Sequence, residues 1–231
     1  TSRRVTIIKM SKIKKLTLAV VGVFFLLAFF FSQKAQAQTE LSGGGEFFNG
    51  DEEITINLDI DHREEFDGWQ YVVEGDIYYA LEEGDIDEQT VYSQFKLNKD
   101  LDDKSYVLGV VQLDYDYFRD YDLRSVLGFG YGRKLYKSDK WKISNEITVA
   151  FLKSDANETI LRNSLWISYM LSDRINITNK ALYETSKEKY IRIETELEYQ
   201  VTEDFSLSLS NEHTEDYEVE DILTFNFKFK F

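Results

Sequence analysis

The chain of 231 residues has no cysteine and no proline. Without cysteine there is no disulfide staple, no thiolate metal ligand and no lipid-modified cysteine behind a leader. Proline has no backbone N–H and is kept out of central ladder positions. Its absence suits a chain made almost entirely of paired strand. Histidine is nearly missing too, with only His62 and His213. Neither sits in a nucleophile elbow or an HxxxH pair, so hydrolytic and metal-dependent constellations find no support. The predicted strands set the two imidazoles near opposite rims, as interfacial polar residues rather than bases. The sequence points to no enzyme, no cofactor and no metal site.

Acid is missing from one end. No Asp or Glu precedes Glu40, whereas seven Lys and Arg do. Met10 is followed by Lys12, Lys14 and Lys15, then by the apolar run Leu16–Phe31, then by Ala35-Gln36-Ala37. A basic region, an apolar region and a small-residue cleavage site are the parts of a secretory signal peptide. The apolar run is shorter than the roughly 20 residues a spanning helix needs, which counts against an uncleaved anchor. The sequence therefore predicts upstream residues 1–9, a cleaved signal at 10–37 and one domain at 38–231.

What remains is acidic. With 27 Lys and Arg in the chain, seven of them ahead of residue 38, against 42 Asp and Glu, the predicted mature domain carries a net charge of −22. Such a surface does not seek nucleic-acid phosphates. High charge can signal disorder, but 15 Tyr, 17 Phe and 3 Trp are too many aromatics for that.

The dominant period is two. In "ITINLDID" Ile54, Ile56, Leu58 and Ile60 alternate with Thr55, Asn57, Asp59 and Asp61. "WKISNEITVAF", "YIRIETELEYQV" and "FSLSLS" alternate likewise, and the chain closes on "LTFNFKFKF". Twelve strands follow: 41–48, 53–62, 69–81, 90–98, 105–117, 124–136, 141–152, 160–171, 175–184, 190–201, 205–213 and 222–231. Their lengths suit tilted strands crossing a bilayer. The connections fall into two sets. "KSDK", "SDR" and "TED" are tight, with "NKDLDDK" and "REEFDG" on the same side. The acidic segments 82–88, 118–123, 153–159, 185–189 and 214–221 lie on the other. Short periplasmic turns and longer outer loops are the outer-membrane arrangement.

A soluble sandwich would also alternate. Three features favour a transmembrane antiparallel up-and-down β-barrel of 12 strands. Aromatic residues gather near strand ends, including Trp69, Tyr71, Tyr115, Tyr117, Trp141, Phe151, Tyr169, Tyr183, Tyr199 and Phe205, where rings suit a membrane interface. The strands follow one another as hairpins. An aromatic last strand would be an aggregation-prone edge in water, and closure removes it. The barrel then faces outer-membrane lipid with its apolar parity.

Two stretches carry a likeness. "YFRDYDLRSVLGFGYGRKL" (117–135) and "GGGEFFNGDEEITINLDID" resemble the acidic-aromatic loop, glycine-rich strand and opening hairpin of the salt-induced outer-membrane protein family. In the second stretch Asn49-Gly50-Asp51 departs slightly from that family's Gly-Asn-acid order. The family has no assigned function and no catalytic residues to carry over. The resemblance implies a bacterial outer-membrane location and a link to salt or osmotic stress. Aromatic alternation ending at Phe227, Phe229 and Phe231 resembles the signal read by the barrel-insertion machinery.

The inward parity holds the informative residues. It places Glu74, Asp76, Lys96, Lys142, Glu146, Arg162, Lys180, Arg192, Glu194, Glu196, Glu198, Lys228 and Lys230 in the lumen. Charges of both signs can pair across strands and fill a barrel, or line a water path that selects ions. Twelve strands lie between filled small barrels and open porins. The three glycines of "GFGYG" (128–132) share the inward face, making room for a bulky neighbour such as Trp166 or widening a pore. Asp114, Asp116, Asp120 and Asp122 lack EF-hand spacing and read as a solvated acidic loop. Two functions stay open: a narrow ion or small-solute channel or passive envelope component, and a non-transporting barrel that binds lipopolysaccharide or a partner through its acidic loops.

Overall fold

The structure, a computed structural model, describes residues 37–45, 53–82, 85–116, 123–154, 157–186, 190–215 and 219–231. Residues 1–36, which hold the upstream segment 1–9 and all of the predicted leader 10–37 except Ala37, lie outside them, as do Tyr117, the loop acids Asp120 and Asp122, and Asn49, Gly50 and Asp51. Twelve strands form one closed antiparallel barrel in which β12 returns to pair with β1. They are β1 Ala37–Gly45, β2 Glu53–Phe66, β3 Trp69–Glu82, β4 Asp85–Asp100, β5 Ser105–Asp116 and β6 Arg124–Lys137. The second half comprises β7 Trp141–Lys153, β8 Asn157–Ser172, β9 Ile175–Glu184, β10 Tyr190–Gln200, β11 Phe205–Glu215 and β12 Val219–Lys230. No helix among the described residues is long and apolar enough to cross a membrane. The strands cross it instead, as their alternation predicts.

The alternation is realised as two faces. Large apolar side chains of one parity stand exposed on the outside, among them Phe95, Val111, Phe129, Val149, Leu197 and Phe227. Lipid is the medium that accepts such a surface. Ring pairs reinforce it: Trp141 and Tyr169 have centroids 4.3 Å apart, and Phe205 lies 5.1 Å from Phe229. Lys99 caps Trp69 with its Nζ 5.0 Å from the ring centroid, at the rim where a cation can reach water.

Several boundaries differ from the sequence expectation. The first strand is Ala37–Gly45 rather than 41–48, because Thr39 and Phe231 exchange backbone hydrogen bonds of 3.3 and 2.9 Å. This register sets Glu40 opposite Lys230 and Ser42 opposite Lys228. Residues 46–48 are not described. The segment 82–88, expected to be a loop, is mostly ladder, since pairing runs to Glu82 opposite Asp85 past a bulge at Ala80/Leu81. Residues 214–221 also join the ladder apart from 216–218, with Thr214 opposite Glu220. "REEFDG" contracts to a two-residue turn, Asp67 and Gly68, with φ of 47° and 70°. Positive φ at both central positions is the type I′ hairpin geometry that Asp-Gly favours. In the Leu101–Lys104 turn the Lys104 N–H donates to Asp102 Oδ1 at 2.7 Å. That bond holds the exposed Asp102 carboxyl below its ordinary range.

Candidate functional site

The interior is defined by contacts that neighbouring strands cannot make. Lys96 on β4 reaches Glu146 on β7, with Nζ 2.9 Å from Oε1. Arg162 on β8 donates to Gln112 Oε1 on β5 at 2.8 Å. Arg192 on β10 stands 5.9 Å from the ring centroid of Tyr92 on β4, six strands away around the barrel. These side chains meet across the lumen, and the ladder register carries their parity to the rest. Glu74 and Asp76 stand opposite Gln94 and Tyr92; Lys142 stands opposite Ser168. Lys180 is paired with Trp166 and Glu194; Glu196 and Glu198 with Thr178 and Asn176; Lys228 with Ser206. Lys142 lies at the rim beside the turn that joins β6 to β7.

One sector of this interior is filled and dry. Val126, Ala150, Leu152 and Ile160 form one buried apolar cluster on β6–β8, and Tyr106, Leu108 and Val110 form another on β5. Glycine makes the packing possible. A Cβ at Gly132 would lie 2.2 Å from Tyr106 Cζ, and one at Gly128 would lie 2.7 Å from Thr148 Cγ2. The ring that needs this space is therefore Tyr106, not the Trp166 suggested by the sequence. Trp166 sits between Ser144 and Lys180. The Tyr106 hydroxyl donates to Glu146 Oε1 at 2.6 Å, tying the apolar cluster to the Lys96 pair.

Beside this cluster lies a buried ionic chain. Glu184 has no solvent exposure. It pairs with Arg162, Nε to Oε1 2.8 Å, and with Arg124. Arg124 continues to Asp114 at 2.8 Å, and its guanidinium lies 5.4 Å from the centroid of Tyr190. An isolated charge at such depth would be strongly disfavoured; alternating signs and hydrogen bonds make the burial tolerable. Of this chain the sequence pattern predicts Arg162 as an inward residue and reads Asp114 as part of a solvated loop, whereas Asp114 is the last carboxylate of the buried chain. Glu184 was findable as an inward residue, because it shares the parity of Lys180 on β9; its place opposite Arg162 comes from the bulge between Met170 and Ser172, which shifts the register by one.

The remaining sector is charged and more accessible. Lys180 and Arg63 keep 48% of their side-chain surface accessible although both point inward, and Arg192 keeps 34%. The β10 glutamates are all paired with cations: Glu194 with Lys180 at 3.2 Å, Glu196 with Lys228, and Glu198 with Lys230 at 2.9 Å. Glu40, missed in the sequence, also holds Lys228 at 3.2 Å. Glu74 accepts from Gln94 Nε2 at 2.6 Å, and Ser42 donates to Asp59, which stands opposite Asp76. Arg192 is anchored by Glu212 at 2.6 Å and spans to Tyr92.

The histidines lie apart. His62 accepts or donates at Thr39 Oγ1 (2.8 Å) and at the Tyr71 hydroxyl (3.3 Å), which itself donates to Glu64. This polar chain lies on the outward parity beside the Asp67–Gly68 turn. His213 lies near the opposite end of β11. Among the described residues no group of three or more His, Cys, Asp or Glu could hold a metal ion.

With this geometry in hand, comparison with known proteins is informative. The profile of the family described as "Protein of unknown function, DUF481" matches residues 31–231. No curated protein matches the sequence significantly. The fold is similar to the NanC porin (12% identity, 84% of this chain and 100% of that one, TM-score 0.56). It is also similar to the COG4313 outer membrane channel from Pseudomonas putida F1 (9% identity, 85% and 95% covered, TM-score 0.55). A KdgM porin in complex with disordered oligogalacturonate gives 6% identity, 84% and 98% covered, and a TM-score of 0.53. At such identities the likeness is one of fold.

Proposed function

The chain belongs to the DUF481 family and has a porin-like outer-membrane barrel fold, and we propose that it is a narrow, water-filled passage for small ions and solutes, constricted between Tyr92 and Arg192. One observation carries this reading: inward-pointing charged side chains, Lys180 above all, retain accessible surface inside a closed barrel. A barrel filled throughout would have left them as dry as Glu184.

The passage discriminates weakly by charge. Carboxylates and cations along β10 and β12 neutralise one another, so these two strands present no row of free acids to the path. Oligogalacturonate is a polyanion bound by another barrel. Glu74, Asp59 and Asp76, in one inward-facing region of β2–β3, make a long polyanion a poor substrate here. Liposome swelling tests the reading. Vesicles carrying the refolded barrel are expected to swell in small neutral solutes and salts and not in disaccharides or larger sugars. Vesicles no more permeable than empty ones would refute it, and a non-transporting barrel that meets lipopolysaccharide through its outer loops would take its place.

Three further elements belong to this reading. The salt or osmotic link rests on the family resemblance, and protein abundance across rising salt tests it. Export uses the leader 10–37; the N-terminal residue of the mature protein is expected to be Gln38. The β12 face ending in Phe227, Phe229 and Phe231 serves as the signal to the insertion machinery.

A further inference from the structure

We propose that the outward face of β9–β11 is the contact surface between two copies of this chain, centred on Thr195. The argument is independent of transport. On these strands a row of polar residues crosses the lipid-facing surface. The register sets Asn179 on β9 opposite Thr195 on β10, and Thr195 opposite Asn211 on β11. All share the parity of the exposed Ile193 and Leu197 and of Leu209. Thr195 lies midway along its strand, between Ile193 and Leu197, so the row sits within the apolar band rather than at a rim. At comparable positions β5, β6, β7 and β12 present Val111, Phe129, Val149 and Phe225.

On β7 and β8 the outward amides form a pair across two strands, in which the Asn145 NH₂ group is satisfied within the barrel. Asn145 donates to Asn163 Oδ1 at 3.1 Å and to the Ser164 carbonyl at 2.9 Å. The β9–β11 row runs across three strands and is less completely bonded. Thr195 donates to Asn179 Oδ1 at 2.8 Å, which leaves the Asn179 NH₂ group without a partner among the described residues. Asn211 reaches the Ile222 carbonyl only at 3.5 Å. Hydrocarbon offers such groups nothing, and a polar group there seeks a protein partner. A carboxamide both donates and accepts, so the partner best matched to this row is the same row. Two barrels inserted in one orientation are related by a two-fold axis along the membrane normal, which makes the patch meet itself. With the axis beside Thr195, each Thr195 meets its counterpart and the flanking amides turn toward the other copy.

The chain's lack of cysteine makes the test clean. The full mature barrel carrying Thr195→Cys is refolded into phosphatidylcholine vesicles and mildly oxidised. A disulfide-linked dimer is expected. The control Val111→Cys, exposed on β5 at the far side of the barrel, is expected to stay monomeric. Equal cross-linking of the two variants would overturn the proposal. The mass of the unsubstituted protein in detergent, from light scattering, is a second arm: two copies are expected, and a monomer at every concentration would overturn it. Replacing the row with Asn179→Leu, Thr195→Val and Asn211→Leu is expected to yield folded monomers. An unchanged dimer from that variant would also overturn it.

Discussion

Replacing Glu184 with glutamine separates the dry sector from the wet one. The carboxylate has no exposure and lies between Arg162, at 2.8 Å, and Arg124. Gln keeps the volume and removes the charge. Arg124 still has Asp114, and Arg162 keeps the neutral Gln112 as its hydrogen-bond partner. Removing one partner of a buried pair costs about 3–5 kcal/mol, because the other charge is left uncompensated. The matched perturbation in the wet sector is Glu194→Gln. Its partner Lys180 is half exposed, and screened pairs contribute roughly 0–1 kcal/mol. Urea unfolding in lipid vesicles, followed by Trp fluorescence, measures both. Glu184→Gln is expected to lose about 3 kcal/mol or more and Glu194→Gln about 1 or less. Equal small losses would mean that water reaches Glu184 and that the filled sector does not exist. A further variant, Glu184→Leu with Arg162→Met, is expected to regain much of the loss, since apolar replacement of a whole buried pair is often nearly neutral.

Other consequences concern packing, turn and path. Gly132→Val drives a side chain into Tyr106 and breaks its bond to Glu146; a loss of about 1–3 kcal/mol in the same unfolding assay is expected. Gly68→Val forces a β-branched residue to φ +70°, and slower refolding with reduced stability is expected, read from heat-modifiable gel mobility. Tyr92→Ala leaves the Arg192–Glu212 pair intact and clears one wall of the constriction, so single-channel conductance should rise. Deleting Phe231 removes the backbone bonds to Thr39 and the last aromatic of the closing strand; less protein is expected in the outer membrane, with accumulation in the periplasm.

The barrel was legible because its physics is local. Period-two alternation sets which side chains meet lipid, and tight polar turns set where the chain reverses, so most predicted strands lie within a few residues of the observed ones. Boundaries moved where pairing outweighed composition: Glu82 and Asp85 look like loop residues, yet the ladder carries them. The Asp67-Gly68 pair is itself a type I′ signal, and the charged residues before it make the turn look longer than it is. Partners across the lumen were not legible. That Lys96 meets Glu146, or Arg192 meets Tyr92, depends on how the strands are staggered around the closed barrel, which no short stretch encodes. The same holds for the division of the interior, since Arg162 and Lys180 look alike in sequence and differ sevenfold in side-chain exposure, 7% against 48%.

The central claim is a wetted path beside a filled sector. Single-channel conductance of refolded residues 38–231 in a planar lipid bilayer tests it most directly. Small discrete steps with little preference between cation and anion are predicted, enlarged in Tyr92→Ala. A barrel shown to be folded by its gel mobility, yet electrically silent in both forms, would contradict it.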